Sequence, residues 1–371
     1  MHVLCASTPT ACARGGPATP LSVDAGREPI RRLRSVAPVE ATSALPNIGV
    51  RVVTATYRAV QRRHNELVDR AGITSALVAD LIADQFPQWA DLVIRPVDLG
   101  GWDNVTFRLG PSLTVRLPSA AGYVPQVDKE HRWLPILGRQ LRQAIPQPVA
   151  RGRPGCGFPR PWSVYRWIDG VFASGDQIDD LAEFARALAA FLMDLQAIDA
   201  TDGPAAGPHS GYRGGLLDTY DAETRAAIEQ LADIVDADAA RDVWNTALAT
   251  TWNKPPVWVH GDVTAANLLI TDGQLGGVLD FGCCAVGDPA CDLVMAWTYF
   301  TSASRDAFRD GLDLDEATWA RGRGWALWKA LITMSPATSG NSDSDAAARR
   351  FGWRIGPVDV IDAVIADHEA A

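Results

Sequence analysis

The chain has 371 residues, 47% hydrophobic and 21% charged, with a formal net charge of −10 and a pI near 5.1. That hydrophobic content supplies a real core and excludes wholesale disorder, and at roughly 100–200 residues per domain the length allows two or three compact units. An acidic chain is a poor nucleic-acid binder, and no run approaches the ~18 apolar residues of a membrane span, so a soluble, cytoplasmic protein with neither partner is expected.

Residues 1–47 are punctuated by Pro9, Pro17, Pro20, Pro29, Pro38 and Pro46 and carry no sustained apolar period, which predicts an unstructured stretch. A weakly apolar helix is possible over Val52 to Val68. Residues 1–71 are therefore read as a disordered extension or an overlong gene start, although a later start needs a non-AUG codon because the next methionine is Met193. Order is expected from Thr74, which is placed to cap a helix carrying Leu77, Leu81, Ile82 and Phe86 at helical spacing. Strands are predicted at Leu92–Pro96, Thr106–Leu109 and Leu113–Leu117, the last two joined by a Gly-Pro-Ser turn at 110–112. A helix over 125–141, a Pro/Gly-rich crossing over 152–161 and a strand over Trp162–Ile168 complete a small β-rich lobe.

The remainder reads as mainly helical. Leu181, Phe184, Leu188, Phe191, Leu192 and Leu195 share one face of a helix over 179–198, and further helices are expected at about 217–235 and 239–252. Short strands crowd Val257 to Phe281, and helices resume at Pro289. Charge divides unevenly along this order: residues 1–70 carry +5, residues 71–170 carry +3 and residues 171–371 carry −18. Only three of the 34 basic residues are lysines: Lys129, Lys254 and Lys329. Six cysteines without a C-x-x-C pair and six scattered histidines predict neither a disulfide framework nor a zinc site.

The densest chemistry lies in V-W-V-H-G-D-V-T-A-A-N-L-L-I, residues 257–270, followed by V-L-D-F-G-C-C-A-V-G-D-P-A-C-D-L, residues 278–293. Val257–Val259 and Leu268–Ile270 flank a polar turn, and Asp272-Gly273 predicts a tight connection to the run Leu275–Leu279; such a hairpin would set Asp262 and Asn267 on one loop, with Asp280 at the end of the next strand beside them. Two carboxylates and an amide oxygen converging in a turn-rich cleft are hard-cation ligands, suited to Mg²⁺ with bound phosphates. The order Asp262, then Asn267 five residues on, then Asp280 in D-F-G is that of phosphoryl transfer in kinase-like folds.

H-G-D-x-x-x-x-N, D-F-G and G-D-P-x-x-D-L together resemble the aminoglycoside phosphotransferase family, relatives of macrolide, choline and homoserine kinases, over nearly all of residues 72–371. The resemblance implies a two-lobed, protein-kinase-like α+β fold: a nucleotide-binding N-lobe, 72–168, and a catalytic, acceptor-binding C-lobe, 169–371. It implies an ATP-dependent kinase (GTP not excluded) using Mg²⁺, with Asp262 as base or orienter and Asn267 and Asp280 as metal ligands. Gly100, Gly101 and Asn104 fall in the segment resembling the family's nucleotide-covering loop. Arg116 stands where kinases place their phosphate-binding lysine, with Glu130 as its expected partner and Asp128 as the competing choice; Lys129 is expected to be solvated. Adenine is expected against backbone near Tyr165, Trp167 and Ile168.

His260 is expected to hydrogen-bond structurally, Asp288 to cap a helix and, with Asp292, to brace the catalytic loop, and Cys283 and Cys284 to pack. The acceptor implied first is an aminoglycoside antibiotic, a polycation that the −18 of residues 171–371 would attract. A macrolide, a metabolite or an inert binding role are the alternatives, and the acids may equally be solvated helix faces. A monomer or weak homodimer is expected.

Overall fold

A computed structural model of the chain describes residues 70–97, 103–173, 177–335 and 343–371. The expected extension, the possible helix over Val52 to Val68 and the glycines Gly100 and Gly101 lie outside the described residues. Helix α1 (Ser75–Gln85) begins as its sequence dictates, the Thr74 hydroxyl accepting from Leu77 N at 3.2 Å. Strands β1 (Ile94–Pro96), β2 (Asn104–Leu109) and β3 (Leu113–Pro118) precede helix α2 (Val124–Leu137), and β4 (Pro148–Gly152) and β5 (Trp162–Arg166) follow it. These strands form an antiparallel sheet in the order β1-β2-β3-β5-β4.

Two differences from expectation have simple causes. Strand β4 was hidden by its terminal Pro148 and Gly152, residues that an edge strand tolerates because one side needs no ladder. Helix α2 stops at Leu137 rather than 141, with Gly138 as its cap. Alternation along β3 buries Leu113, Val115 and Leu117 against Val78, Leu81 and Ile82 of α1, and turns Arg116 to the opposite face, towards α2. On α2, Val127, Glu130, Trp133, Leu134 and Leu137 are buried, so Glu130 lies within an apolar stripe and needs a partner.

The C-terminal region opens with β6 (Val171–Phe172) and α3 (Leu181–Gln196), capped by Asp180, whose carboxylate accepts from Ala182 N at 2.8 Å. Helices α4 (Asp221–Gln230) and α5 (Ala237–Leu248) lead to β7 (Val257–Val259), β8 (Leu268–Thr271), β9 (Gln274–Val278) and β10 (Ala285–Gly287). Then come α6 (Met295–Thr298), α7 (Ser302–Asp310), α8 (Glu316–Met334), α9 (Ser344–Arg350) and α10 (Pro357–Glu369). Asp272 and Gly273, at φ +50° and +74°, close the tight β8–β9 hairpin. The expected Asp272-Gly273 hairpin thus forms, and β7 stays outside it: β7 pairs with β10, and β8 pairs with β6 and β9. Loop 260–267 therefore crosses from one small sheet to another. The described architecture is α+β, a β-sheet N-terminal region followed by a helical one, and none of its helices is long and apolar enough to cross a membrane.

Candidate active site

The 260–267 loop is held by buried polar contacts. Asp292, 1% exposed, accepts from His260 N at 2.8 Å and Gly261 N at 2.7 Å. His260 Nε2 meets Leu279 O at 2.8 Å, while Nδ1 accepts from Asp262 N at 3.2 Å. These two bonds fix a neutral tautomer and tie the loop to the end of β9. Gly261, at φ +83°, could carry no side chain here, since a Cβ would stand 2.5 Å from Cys283 O. His260 thus has the structural role its motif suggested, and Asp292 braces the loop directly.

Asp280 follows β9 in the left-handed region at φ +61°, a conformation Asp tolerates when its side chain bonds locally, here to Gly282 N at 3.3 Å. Arg116 joins the two regions of the molecule: Nη1 lies 3.4 Å from Glu130 Oε1 and Nη2 lies 3.4 Å from Asp280 Oδ1. Tyr165 donates its hydroxyl to the other oxygen of Glu130. Burial, then the Glu130 carboxylate, push that hydroxyl well above its ordinary value, so it stays a donor. Asp128 is excluded as the partner of Arg116, because it is exposed and pairs with Arg151 at 2.7 Å.

Asn267 donates Nδ2 to Asp262 O at 3.0 Å, which leaves its Oδ1 as an oxygen ligand. Together with the Asp280 carboxylate this is a hard, two-residue donor set of the kind that suits Mg²⁺ completed by water and phosphate. Burial, then the negative charge of Asp280, push the Asp103 carboxyl up to about 7. Among the described residues there is no cluster of three or more His, Cys, Asp or Glu able to hold a metal, so any such ion would need oxygens from its substrate.

The sequence pattern of the phosphotransferase enzyme family matches residues 93–325, well over half of the chain. The chain belongs to that family. It is a small-molecule kinase, and its fold is kinase-like. The GDP complex of wild-type aminoglycoside 2'-phosphotransferase-IIIa is 18% identical with a TM-score of 0.59, covering 78% of this chain and 98% of that one. The GDP and kanamycin complex of APH(2")-IIIa follows at 18% and 0.57, with the same coverage. Macrolide 2'-phosphotransferase MphH from Brachybacterium faecium is 21% identical at 0.51, covering 74% of this chain and 97% of its own. At these identities the likeness carries the fold. No curated protein matches the chain by sequence.

In this phosphotransferase, Arg116, Glu130, Tyr165 and Asp280 form one connected group and Asp262 and Asn267 a second, tied to the first through the backbone, where Leu279 N donates to Asn267 O at 2.7 Å just before Asp280. Asn104 is buried at the start of β2, in register with Pro118. Trp167 and Ile168 lie apart from both groups on the segment after β5. The Trp167 ring lies under the Arg108 guanidinium at 4.3 Å, and its backbone N–H is taken by Ser112 O at 2.8 Å. Ile168 packs over Gly277, where a Cβ would come within 3.2 Å of it.

Lys129 corrects an expectation. Rather than being solvated, it donates to Gly282 O at 2.6 Å and Cys284 O at 3.0 Å, pinning α2 to the turn after Asp280. Asp288 caps as expected, accepting from Ala290 N at 3.0 Å, and also pairs with Arg321 at 2.6 Å. Burial pushes the Cys283 and Cys284 thiols up to about 12, in keeping with packing rather than reactivity.

Sequence reasoning missed Lys329, whose Nζ lies 2.9 Å from Asp262 Oδ1, and the Gln126–Asp103 bond at 2.7 Å. Lysine rarity was the available signal: of three lysines among 34 basic residues, two sit at this site.

Proposed function

We propose that this phosphotransferase moves the γ-phosphoryl group of a nucleoside triphosphate, ATP first, to a hydroxyl of a small molecule. The observation that carries the reading is the Arg116 bridge between Glu130 and Asp280, a cation held on the carboxylate whose neighbour Leu279 is bonded to Asn267. Asn267 Oδ1 and Asp280 would hold Mg²⁺, which when bound neutralises phosphate oxygens. Arg116 receives phosphate through its guanidinium fork, and Glu130 and Tyr165 fix its position. Asp262 Oδ1 takes the 2.9 Å bond from Lys329, while Oδ2 takes only a longer one from Asn267 Nδ2 at 3.4 Å, so Oδ2 is the atom with capacity left to accept the acceptor's O–H and orient the oxygen for attack. Catalysis of this kind is mostly positioning and charge neutralisation.

Residues 72–168 then serve the nucleotide and residues 169–371 the acceptor, with 1–71 dispensable for both. The GDP complexes among the similar folds keep GTP as the second donor to test. For the acceptor, the family resemblance puts an aminoglycoside first and a macrolide or a choline- or homoserine-type metabolite second. A nucleotide-consumption screen with ATP and GTP across these classes and sugars, with Asp262→Ala as control, tests the reading. Turnover that vanishes in the control supports it; absence of both turnover and Mg·nucleotide binding overturns it.

A further inference from the structure

Two fixed cations oppose the Asp262 carboxylate. Lys329 Nζ lies 2.9 Å from Oδ1, and its side chain is only 12% exposed. Arg213 is stacked 4.7 Å from the Trp328 ring and 5.5 Å from the Trp325 ring, and donates to Gly211 O at 2.9 Å and Tyr220 Oη at 2.7 Å, so it cannot swing away. Arg213 stands against the same loop, its Cβ 2.9 Å from where a Cβ on Gly261 would lie. Around Asp262 the one negative charge faces two positive ones, while the neighbouring carboxylates Asp103 and Asp280 are countered by Arg116. Beside Lys329, Phe351 is 42% exposed, its ring centroid 5.7 Å from Nζ.

Several of the acids behind the −18 of residues 171–371 have local employment. Asp180, Asp236, Asp315 and Asp343 cap helices, and Glu316 and Asp367 pair with Arg323. Regional charge therefore does not describe the field at Asp262, which is set by its immediate neighbours.

We propose that the acceptor is a hydroxyl compound with no positive charge beside its reacting hydroxyl, laying an apolar face on Phe351, and that Lys329 turns polycations away. This rests on the phosphotransfer role given to Asp262. An ammonium flanking the reacting hydroxyl would be brought within a few ångströms of Lys329, and like charges so placed discriminate against a wrong partner. Lys329 cannot step aside without leaving Asp262 unpaired in a partly desolvated loop. A neutral or anionic group meets no such penalty, and an apolar ring face gains by covering Phe351.

Kanamycin, a hydroxylated polycation, is the probe. It is titrated calorimetrically against the full chain with Mg²⁺ and a non-hydrolysable ATP analogue, in wild type, Lys329→Met and Lys329→Glu. The inference expects Lys329→Glu to bind about 10-fold or more tightly than wild type, with Lys329→Met in between. If Lys329→Glu fails to fold, a gain of about 3-fold in Lys329→Met decides. Equal affinity across the folded variants, weak or strong, or efficient phosphorylation of kanamycin by wild type, overturns it. Failure of wild type to bind the nucleotide analogue is a separate result, which would refute the phosphotransfer reading instead.

Discussion

Each region of the molecule contributes a buried arginine paired with carboxylates, and the two pairs differ in tightness. Arg321, in the helical region, lies 2.6 Å from Asp288, and its remaining donors reach Ala317 O at 2.8 Å, Thr318 Oγ1 at 3.1 Å and Thr250 Oγ1 at 3.3 Å. Arg116, on the sheet, spans Glu130 and Asp280 at 3.4 Å each, with a side chain 13% exposed. The saturated pair has nothing left to offer a ligand and locks α8 to the turn before α6. The stretched pair keeps donor capacity in the cleft, as a phosphate clamp requires. On the proposed reading, the same chemistry serves architecture in one place and binding in the other.

Substitutions can break or sharpen that contrast. Arg321→Met strands the Asp288 carboxylate and should cost about 3–5 kcal/mol in urea unfolding; a loss below about 1 kcal/mol would mean the pair is not structural. Arg116→Met should raise the nucleotide KM about 10- to 100-fold, equivalent to about 1.4–2.7 kcal/mol, with a smaller loss of stability and partial recovery in Arg116→Lys. The reverse pattern, a large stability loss with KM unchanged, would make the two arginines alike.

Asp103 extends the contrast to pH. Its carboxyl is raised from 3.8 to about 7, so the folded chain binds more protons than the unfolded between those values. Stability therefore falls as pH rises through that window, by linkage. Asp103→Asn should gain about 1–2 kcal/mol at pH 8 and nothing at pH 4; an equal effect at both pH values would show that charge crowding is not the cause. Smallest is Asp315→Ala, which removes the cap of α8 and should cost about 1 kcal/mol without changing nucleotide affinity. The Asp315 carboxyl is held at about 2, first by its Thr318 hydroxyl bond, so its contribution is present above 3.8 and lost as pH falls towards 2.

Much of the site was legible because its parts are local. Asp262 and Asn267 are five residues apart, and period-two alternation on β3 and the α2 stripe suffice to bring Arg116 to Glu130. Contacts closed by the tertiary fold were not. Lys329 reaches Asp262 across 67 residues, and Lys129 reaches Cys284 across 155. Nor does the apolar pattern say that β7 prefers β10 to β8, since the Ala-Val-Gly of β10 is shorter and less hydrophobic than the Leu-Leu-Ile-Thr of β8. The regional charge of −18 is counted along the chain and does not by itself give the field around one carboxylate.

Asp262 is the residue on which the account turns. Asp262→Asn keeps the size of the side chain but removes the charge that orients the acceptor hydroxyl. Assayed on the acceptor from the nucleotide-consumption screen, it should lose about 10²- to 10⁴-fold in kcat while binding Mg·nucleotide within about 3-fold of wild type. A variant that retained wild-type kcat would contradict the assignment of Asp262 as the acceptor-orienting group.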